Sequence, residues 1–384
     1  MEQQSETGRL KVAIIGCGRV SAKHIRAISR LSDKMELCAL VDTNPDAPSS
    51  LLRSCKKKIK NYKSFCASIK NFIDYKEMLS DIHPDIVGIT VPSGLHFQVA
   101  KDCLEAGANL LLEKPMTMSN KSSRELYELA QNLGRMIVMG HIYRYFPIVS
   151  LLHRDMVDGK FGKVGYGSVI VRWGHDNDYY HSAAWRGTWK SDGGALMNQT
   201  IHAIDLLVWL MGSEPEEATS MIAKRLRNIE AEDLGMAVLR LENGALAQIE
   251  GTTATIPSKH TAEFSVFCEN GQLSMGLDSG KPHISVYGVK PNGKTKKMNG
   301  YYIRKQFSEG GLFSYKCALN PHLGIYKDLF DSIIEDKSPI ADAYAGFSSV
   351  DTLLGIYKSA KEGRPVKLPL TEDFNSIDMS GFFD

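Results

Sequence analysis

Residues 10–42 constrain this chain more than any other segment. Leu10–Ile15 (LKVAII) is a short apolar run rich in β-branched residues, followed by Gly16 and Gly18. Ala22, Ile25, Ala27 and Ile28 then recur at helical spacing, and Glu36–Val41 (ELCALV) is a second apolar run that ends at Asp42. Strand, glycine turn, helix and strand in that order make the βαβ unit of a parallel sheet. In such a unit the turn lets the backbone approach a pyrophosphate, whose charge the helix N-terminus favours. Gly16 supplies the tight turn, Gly18 the close approach, and Ser21 stands at the third glycine position of GxGxxG. Asp42 lies 24 residues after Gly18. A carboxylate there accepts hydrogen bonds from a ribose 2′-hydroxyl and repels a 2′-phosphate. The pattern predicts a dinucleotide site, NAD favoured over NADP, with Gly16, Gly18, Arg19, Val20 and Asp42 around the cofactor.

Further strands are expected at Asp85–Val91, Asn109–Leu112 and Arg135–Gly140, with helices over 95–106 and 119–133 between them. The lysine-rich stretch 56–70 reads as a solvated loop and helix surface. Past residue 145 longer strands follow: Lys163–Trp173, Glu217–Lys224, Gly235–Leu241, Ala245–Thr255 and Glu263–Cys268. One helix, Gly194–Met211, interrupts them; 280–300 reads as loop-rich, and helical periodicity returns over 320–334 and 346–360. The expectation is an α/β chain of two domains. A doubly wound nucleotide-binding domain covers 9–145, and an α/β domain with a mostly antiparallel, open sheet covers 146–370, followed by a tail, 371–384.

Composition narrows the partners. Lys+Arg 46 against Asp+Glu 44 gives a net charge of +2, too balanced for a general nucleic-acid binder. No apolar run approaches the ~18 residues that would span a bilayer, and the leader MEQQSETGRL is polar. Seven cysteines form no CxxC pair and are odd in number, as expected of thiols in a reducing compartment. A cytoplasmic protein without nucleic-acid or membrane partners is expected.

Three further segments carry chemistry. They are Thr90-Val91-Pro92-Ser93 with His96; Glu113-Lys114-Pro115; and the run from Gly193-Gly194-Ala195-Leu196 through Asn198, Gln199 and His202 to Asp205. Together with Gly16-Cys17-Gly18 and His24 they resemble the Gfo/Idh/MocA family of sugar and inositol oxidoreductases, from about Lys11 to Pro369. An EKP triplet alone is common. At a strand end, 95 residues after Gly18 and with GGxL…H…D downstream, it is specific. The resemblance implies an N-terminal Rossmann domain, NAD as cofactor, and a homodimer or homotetramer. An uncovered sheet face, unfavourable in water, points the same way.

Lys114 ends a strand at the ligand crevice of an open sheet, and matching lysines in the family lie between the nicotinamide and the hydroxyl being oxidised. By the same resemblance Glu113 lies near the nicotinamide ribose, while Thr90, Pro92, Ser93 and His96 line the cofactor's other side. On a regular helix Asn198 (i−4) and Asp205 (i+3) share a face with His202. The near-neutral pKa of histidine suits it to take the proton that leaves as hydride departs. Lys114 and His202 are the expected catalytic pair. Asn198 stands where many members carry Asp, and Thr200 where many carry Gly. An amide can hold the histidine or a substrate hydroxyl but cannot raise the imidazole pKa through charge.

Asn198-Gln199, Trp185-Arg186-Gly187-Thr188-Trp189 and the segments 228–233 and 250–254 are similar to one subgroup, dehydrogenases acting at C3 of UDP-N-acetylglucosamine or its uronate. That implies a sugar-nucleotide substrate held by Arg144, Arg172, Trp185, Arg186, Asn198, Gln199 and His202, with the arginines at 172 and 186 suited to its phosphates. The segment His175–His181 has neither HExxH nor calcium-loop spacing, so no metal is expected; it reads as a mobile loop over the substrate. The alternatives are an inositol or free-sugar dehydrogenase of the same family and a non-catalytic dinucleotide sensor. Intact Lys114 and His202 argue against the sensor.

Overall fold

The structure is a computed structural model and describes residues 8–290 and 292–384. Two compact units form, one of residues 8–117, 122–145 and 315–346, the other of 118–121, 146–314 and 347–384. The sequence reading kept 146–370 together. Residues 315–346 instead return to the first unit, where helix His322–Glu335 packs on helix Ser21–Ser29. Tyr326 stands edge-on to His24 there, ring centroids 5.7 Å apart.

The first unit holds a six-stranded sheet of β1 (Leu10–Ile15), β2 (Met35–Val41), β3 (Lys70–Phe72), β4 (Ile86–Ile89), β5 (Asn109–Leu112) and β6 (Ile137–Met139). All pairs are parallel, in the order β3-β2-β1-β4-β5-β6. This is the expected Rossmann arrangement. Every residue of β4 and β5 is buried, because helices cover both faces of a parallel sheet. The strand order reverses between β1 and β4, so the ligand crevice lies beyond their carboxyl ends. Within the lysine-rich stretch, Lys56–Lys58 forms a 3₁₀ turn and Tyr62–Cys66 a short helix leading to edge strand β3.

In the second unit nine strands pair: β7 (Val164–Arg172), β8 (Pro215–Ala223), β9 (Leu234–Leu241), β10 (Leu246–Thr252), β11 (Thr261–Cys268), β12 (Gly271–Asp278), β13 (Lys281–Val289), β14 (Thr295–Lys297) and β15 (Val366–Lys367). Their order is β14-β13-β12-β11-β7-β10-β9-β8-β15, antiparallel except for the parallel pair β7/β10. Helix Ile201–Met211 covers one face; a Cβ on Gly167 of β7 would lie 2.4 Å from Met211 Sδ. The other face is open, and β9 alternates strictly, with Met236 52% and Val238 47% exposed.

Two expectations need correction. Residues 280–300 are not loop but carry β13, β14 and the start of helix Asn299–Leu319. The helix expected from Gly194 begins instead as a π-helical turn, Ala195–Thr200, before continuing as Ile201–Met211. The tail is folded: Ser376 Oγ donates to the Trp189 carbonyl at 2.6 Å, and Phe383 stacks on Trp189. Among the described residues no helix is long and apolar enough to cross a membrane.

Candidate active site

The glycine turn is built for close backbone approach. Gly16 has φ +93°, and a Cβ on it would lie 2.8 Å from the Thr90 carbonyl, so only glycine fits between β1 and β4. Its own carbonyl accepts from Ser21 Oγ (2.7 Å) and Thr90 Oγ1 (2.6 Å). Ser21 is therefore a latch on the turn as well as a small residue. Gly18 is exposed, with nothing within 4 Å of where a Cβ would be, which leaves its side of the turn open to a ligand. Arg19 is exposed and Val20 half-buried at the start of the helix. At the end of β2, Asp42 Oδ2 accepts from Cys17 N (2.8 Å) and Oδ1 from Asn44 N (2.9 Å). Each oxygen keeps a lone pair for a ribose hydroxyl. These features fit a dinucleotide.

Beyond β5, Glu113 is buried and Lys114, half-buried, follows it; the Lys114–Pro115 bond is cis. Glu113 Oε1 accepts from both His24 Nε2 (3.0 Å) and His322 Nε2 (3.1 Å), and His24 Nδ1 lies 3.1 Å from Tyr326 OH. Burial alone would raise the Glu113 carboxyl, but the two imidazole hydrogen bonds outweigh it and hold the group well below the ordinary carboxylate range. Burial pushes His322 down to about 4, so it donates as a neutral ring. The ligand atoms of His24, Glu113 and His322 lie within 4.8 Å of one another, close enough to hold a cation, and N–H donation already accounts for the spacing. His96 is buried, its Nδ1 2.7 Å from the Pro115 carbonyl and its Nε2 3.0 Å from that of Val91. It ties the loops after β4 and β5 together. Thr90, Pro92 and Ser93 stay half-buried along the first of them. Arg144 is buried in the same unit, its Nη1 donating to the Ile340 carbonyl at 3.0 Å.

In the second unit Asn198 and Gln199 sit on the π turn and His202 on the first turn of helix Ile201–Met211, all half-buried. The wider π turn takes Asn198 off the spacing that put it on one α-helical face with His202 and Asp205. Asn198 Nδ2 instead donates to Asp192 Oδ1, and Asn198 Oδ1 accepts from Gln199 Nε2 at 3.1 Å. Asp192 is buried and also accepts from Gly187 N at 2.8 Å, tying the Trp185–Trp189 segment to the π turn. Arg186 rests between hydroxyls: Nη1 donates to Tyr179 OH (2.6 Å) and Nε to Ser182 Oγ (3.1 Å). Its guanidinium carbon lies 4.3 Å from the Tyr179 ring centroid and 4.6 Å from that of Trp185. Tyr179 belongs to the short helix Asn177–His181, capped by Asp176, so the segment read as a mobile loop is a capped turn.

Arg172 does not join this group. Period-two alternation along β7 puts it on the open face, opposite the helix that bears His202. There it makes a bidentate pair with Glu250 (2.6 and 3.0 Å).

Two family models match the chain: an NAD-binding Rossmann fold of the oxidoreductase family over residues 10–141, and the GFO/IDH/MocA C-terminal domain over 151–274. The chain belongs to the Gfo/Idh/MocA family. It is an NAD-binding oxidoreductase. It is similar to an uncharacterized oxidoreductase of Synechocystis sp., 26% identical over 93% of this chain and 95% of that one. An inositol 2-dehydrogenase of Corynebacterium glutamicum is 25% identical over 71% of this chain and 75% of its own. Among solved structures, the WlbA dehydrogenase of Bordetella pertussis, crystallised with NADH and UDP-GlcNAcA, superposes with a TM-score of 0.79 and 28% identity, covering 94% of this chain and 98% of that one.

Sequence reasoning missed several residues that shape this Gfo/Idh/MocA site. His322 is 209 positions from the carboxylate it serves, beyond any local pattern. Asp192 and Glu232 are buried acids that local sequence does not distinguish from turn and loop residues. The glycine pattern marks Ser21 only as a small residue, and its hydrogen bond to the Gly16 carbonyl lies outside that pattern.

Proposed function

We propose that this enzyme oxidises a ring hydroxyl, at C3, of a UDP-N-acetylhexosamine or its uronate, yielding the ketone and NADH. The observation that carries this reading is the likeness to the WlbA dehydrogenase over 94% of the chain, joined to the Asn198-Gln199 pair and the Trp185–Trp189 segment. NAD, held by the glycine turn and Asp42, would supply the acceptor for the hydride that leaves the carbon bearing the hydroxyl. His202 takes the hydroxyl proton, since a free alkoxide is too costly at neutral pH. Lys114 donates a hydrogen bond to the oxygen as negative charge develops on it. Arg186 hydrogen-bonds two neutral hydroxyls, so its charge is available to a diphosphate or uronate; that of Arg172 is matched by Glu250. The open sheet face, with Met236 and Val238 exposed, is covered by a second copy of the chain.

The test is NADH formation from UDP-GlcNAcA, UDP-N-acetylglucosamine, myo-inositol and glucose. Sugar nucleotides should exceed the others in kcat/KM by about 10²-fold or more. The likeness to an inositol 2-dehydrogenase favours a second reading, oxidation of a cyclitol. Faster turnover of myo-inositol would replace the sugar-nucleotide assignment with that one. Sedimentation analysis tests the oligomer, and a monomer at micromolar concentration would refute it.

A further inference from the structure

Glu232 is completely buried in the second unit, in the segment 228–233, and has no part in the chemistry described above. Its backbone carbonyl accepts from Ala195 N at 2.9 Å. Its side-chain Oε1 accepts from Leu196 N at 2.8 Å and from Tyr357 OH at 2.8 Å. The first two amides of the π turn, which no turn of helix could satisfy, thus both end on one residue, 36 positions downstream of Leu196. The fit leaves no slack, since a Cβ on Gly194 would lie 2.1 Å from both the carbonyl and Oε2 of Glu232. Oε2 is buried and, among the described residues, has no hydrogen-bond partner.

We propose that Glu232 is a positioning residue for the dehydrogenation, a clamp that fixes the π turn Ala195–Thr200 and through it the placement of Asn198, Gln199 and His202, without itself touching substrate. The clamp works as a neutral acid. Among the described residues Oε2 has no hydrogen-bond partner, and the groups that face the carboxyl are its own backbone amide, Leu196 N, Tyr357 from helix Ala343–Glu362, Tyr180 from helix Asn177–His181, and the acidic neighbour Asp233. Burial, with a smaller contribution from Asp233, pushes the carboxyl up to about 8. Folding holds the proton between about 4.5, where the unfolded chain loses it, and about 8, so stability falls as pH rises through that window. Above it the buried charge favours opening of the turn, which admits water to Oε2.

The test is hydrogen–deuterium exchange of the segment 193–202 in the full chain with NAD present. Wild type, Glu232→Gln and Glu232→Ala are compared across about pH 6–9, after correction for intrinsic exchange. The amide of Gln keeps the acceptor oxygen and cannot ionise. Wild-type protection should fall about tenfold or more above about pH 8, Glu232→Gln should stay level, and Glu232→Ala should be poorly protected throughout. Equal pH profiles in wild type and Glu232→Gln would overturn the proposal, as would a fully protected Glu232→Ala. With UDP-GlcNAcA, the alkaline limb of kcat/KM should move up in Glu232→Gln, and kcat should fall in Glu232→Ala while NAD affinity holds. The kinetic arm rests on the sugar-nucleotide reading and the exchange arm does not. Failure to turn over any sugar nucleotide therefore sinks that reading alone, and exchange still decides the clamp.

Discussion

Asn198 gives its side-chain amide to the carboxylate of Asp192. The position where many relatives carry an acid is here the donor to an acid held on the neighbouring turn. Asp192 also accepts from Gly187 N. Asn198→Asp should therefore not restore a commoner arrangement. It sets two carboxylates against each other and should lower stability by about 2 kcal/mol at neutral pH. Thermal denaturation should show the loss shrinking below about pH 5, as one of the two takes up a proton. An Asn198→Asp protein as stable as wild type at neutral pH would refute the pairing.

On the proposed reading, Asp42 sets the preference for NAD over NADP. Its two oxygens hold Cys17 N and Asn44 N, so Asp42→Ala removes both the ribose acceptor and a brace of the turn. NAD should bind about tenfold more weakly, and the preference over NADP should narrow by about 10²-fold once the like charge is gone. Calorimetry with each nucleotide measures both. Equal wild-type affinity for the two would defeat this account.

Replacing Lys114 with Met or His202 with Ala should each lower kcat by about 10²–10⁴ while NAD affinity changes little. Stopped-flow hydride transfer separates this from slow product release. Loss of NAD binding in either variant would move that residue from the chemistry to the cofactor.

The two arginines make a matched pair of controls. Arg186→Ala should raise KM for a sugar nucleotide about tenfold or more, since among the described residues no acidic partner shares its charge. Arg172→Ala should change KM less than about twofold, because it breaks only an exposed pair with Glu250. The reverse ranking would mean that the substrate uses the open sheet face.

Acid should weaken the first unit. Buried His322 stays neutral down to about 4, whereas in the unfolded chain it takes a proton at about 6.5, so stability falls as pH drops through that interval. Glu113, held below its ordinary 4.5, extends the fall at still lower pH. The first interval is worth about 3 kcal/mol. His322→Gln should flatten it in urea titrations at matched pH values, and an unchanged slope would count against a buried neutral ring.

Local periodicity made much of this architecture legible. The alternation of apolar runs and turns located β1, β2, β4 and β5, and the glycine turn placed the crevice, because each signal lies within a few residues of its consequence. Strands β13 and β14 escaped because they lie at the sheet edge and are largely exposed, so their lysines and glycines carry no buried–exposed rhythm. The π turn escaped for another reason. What sustains it is Glu232 and a close approach to Gly194, contacts between segments that no helical period encodes. The charge of Arg172 suits a phosphate, but strand register decides which way it points.

The nucleotide-binding unit is completed by residues 315–346, far along the chain from the strands they cover. His322 and Tyr326 close the polar cluster around Glu113, and both arrive after residue 314, when the entire nine-stranded sheet but its last edge strand has already been made. During synthesis the Rossmann sheet must wait with a buried-to-be carboxylate short of one imidazole and the flank of helix Ser21–Ser29 bare. A fragment ending near residue 145 is consequently not a miniature NAD-binding protein but an unfinished one. Gene dissection or fusion at that boundary would leave the cofactor half without its closing helix.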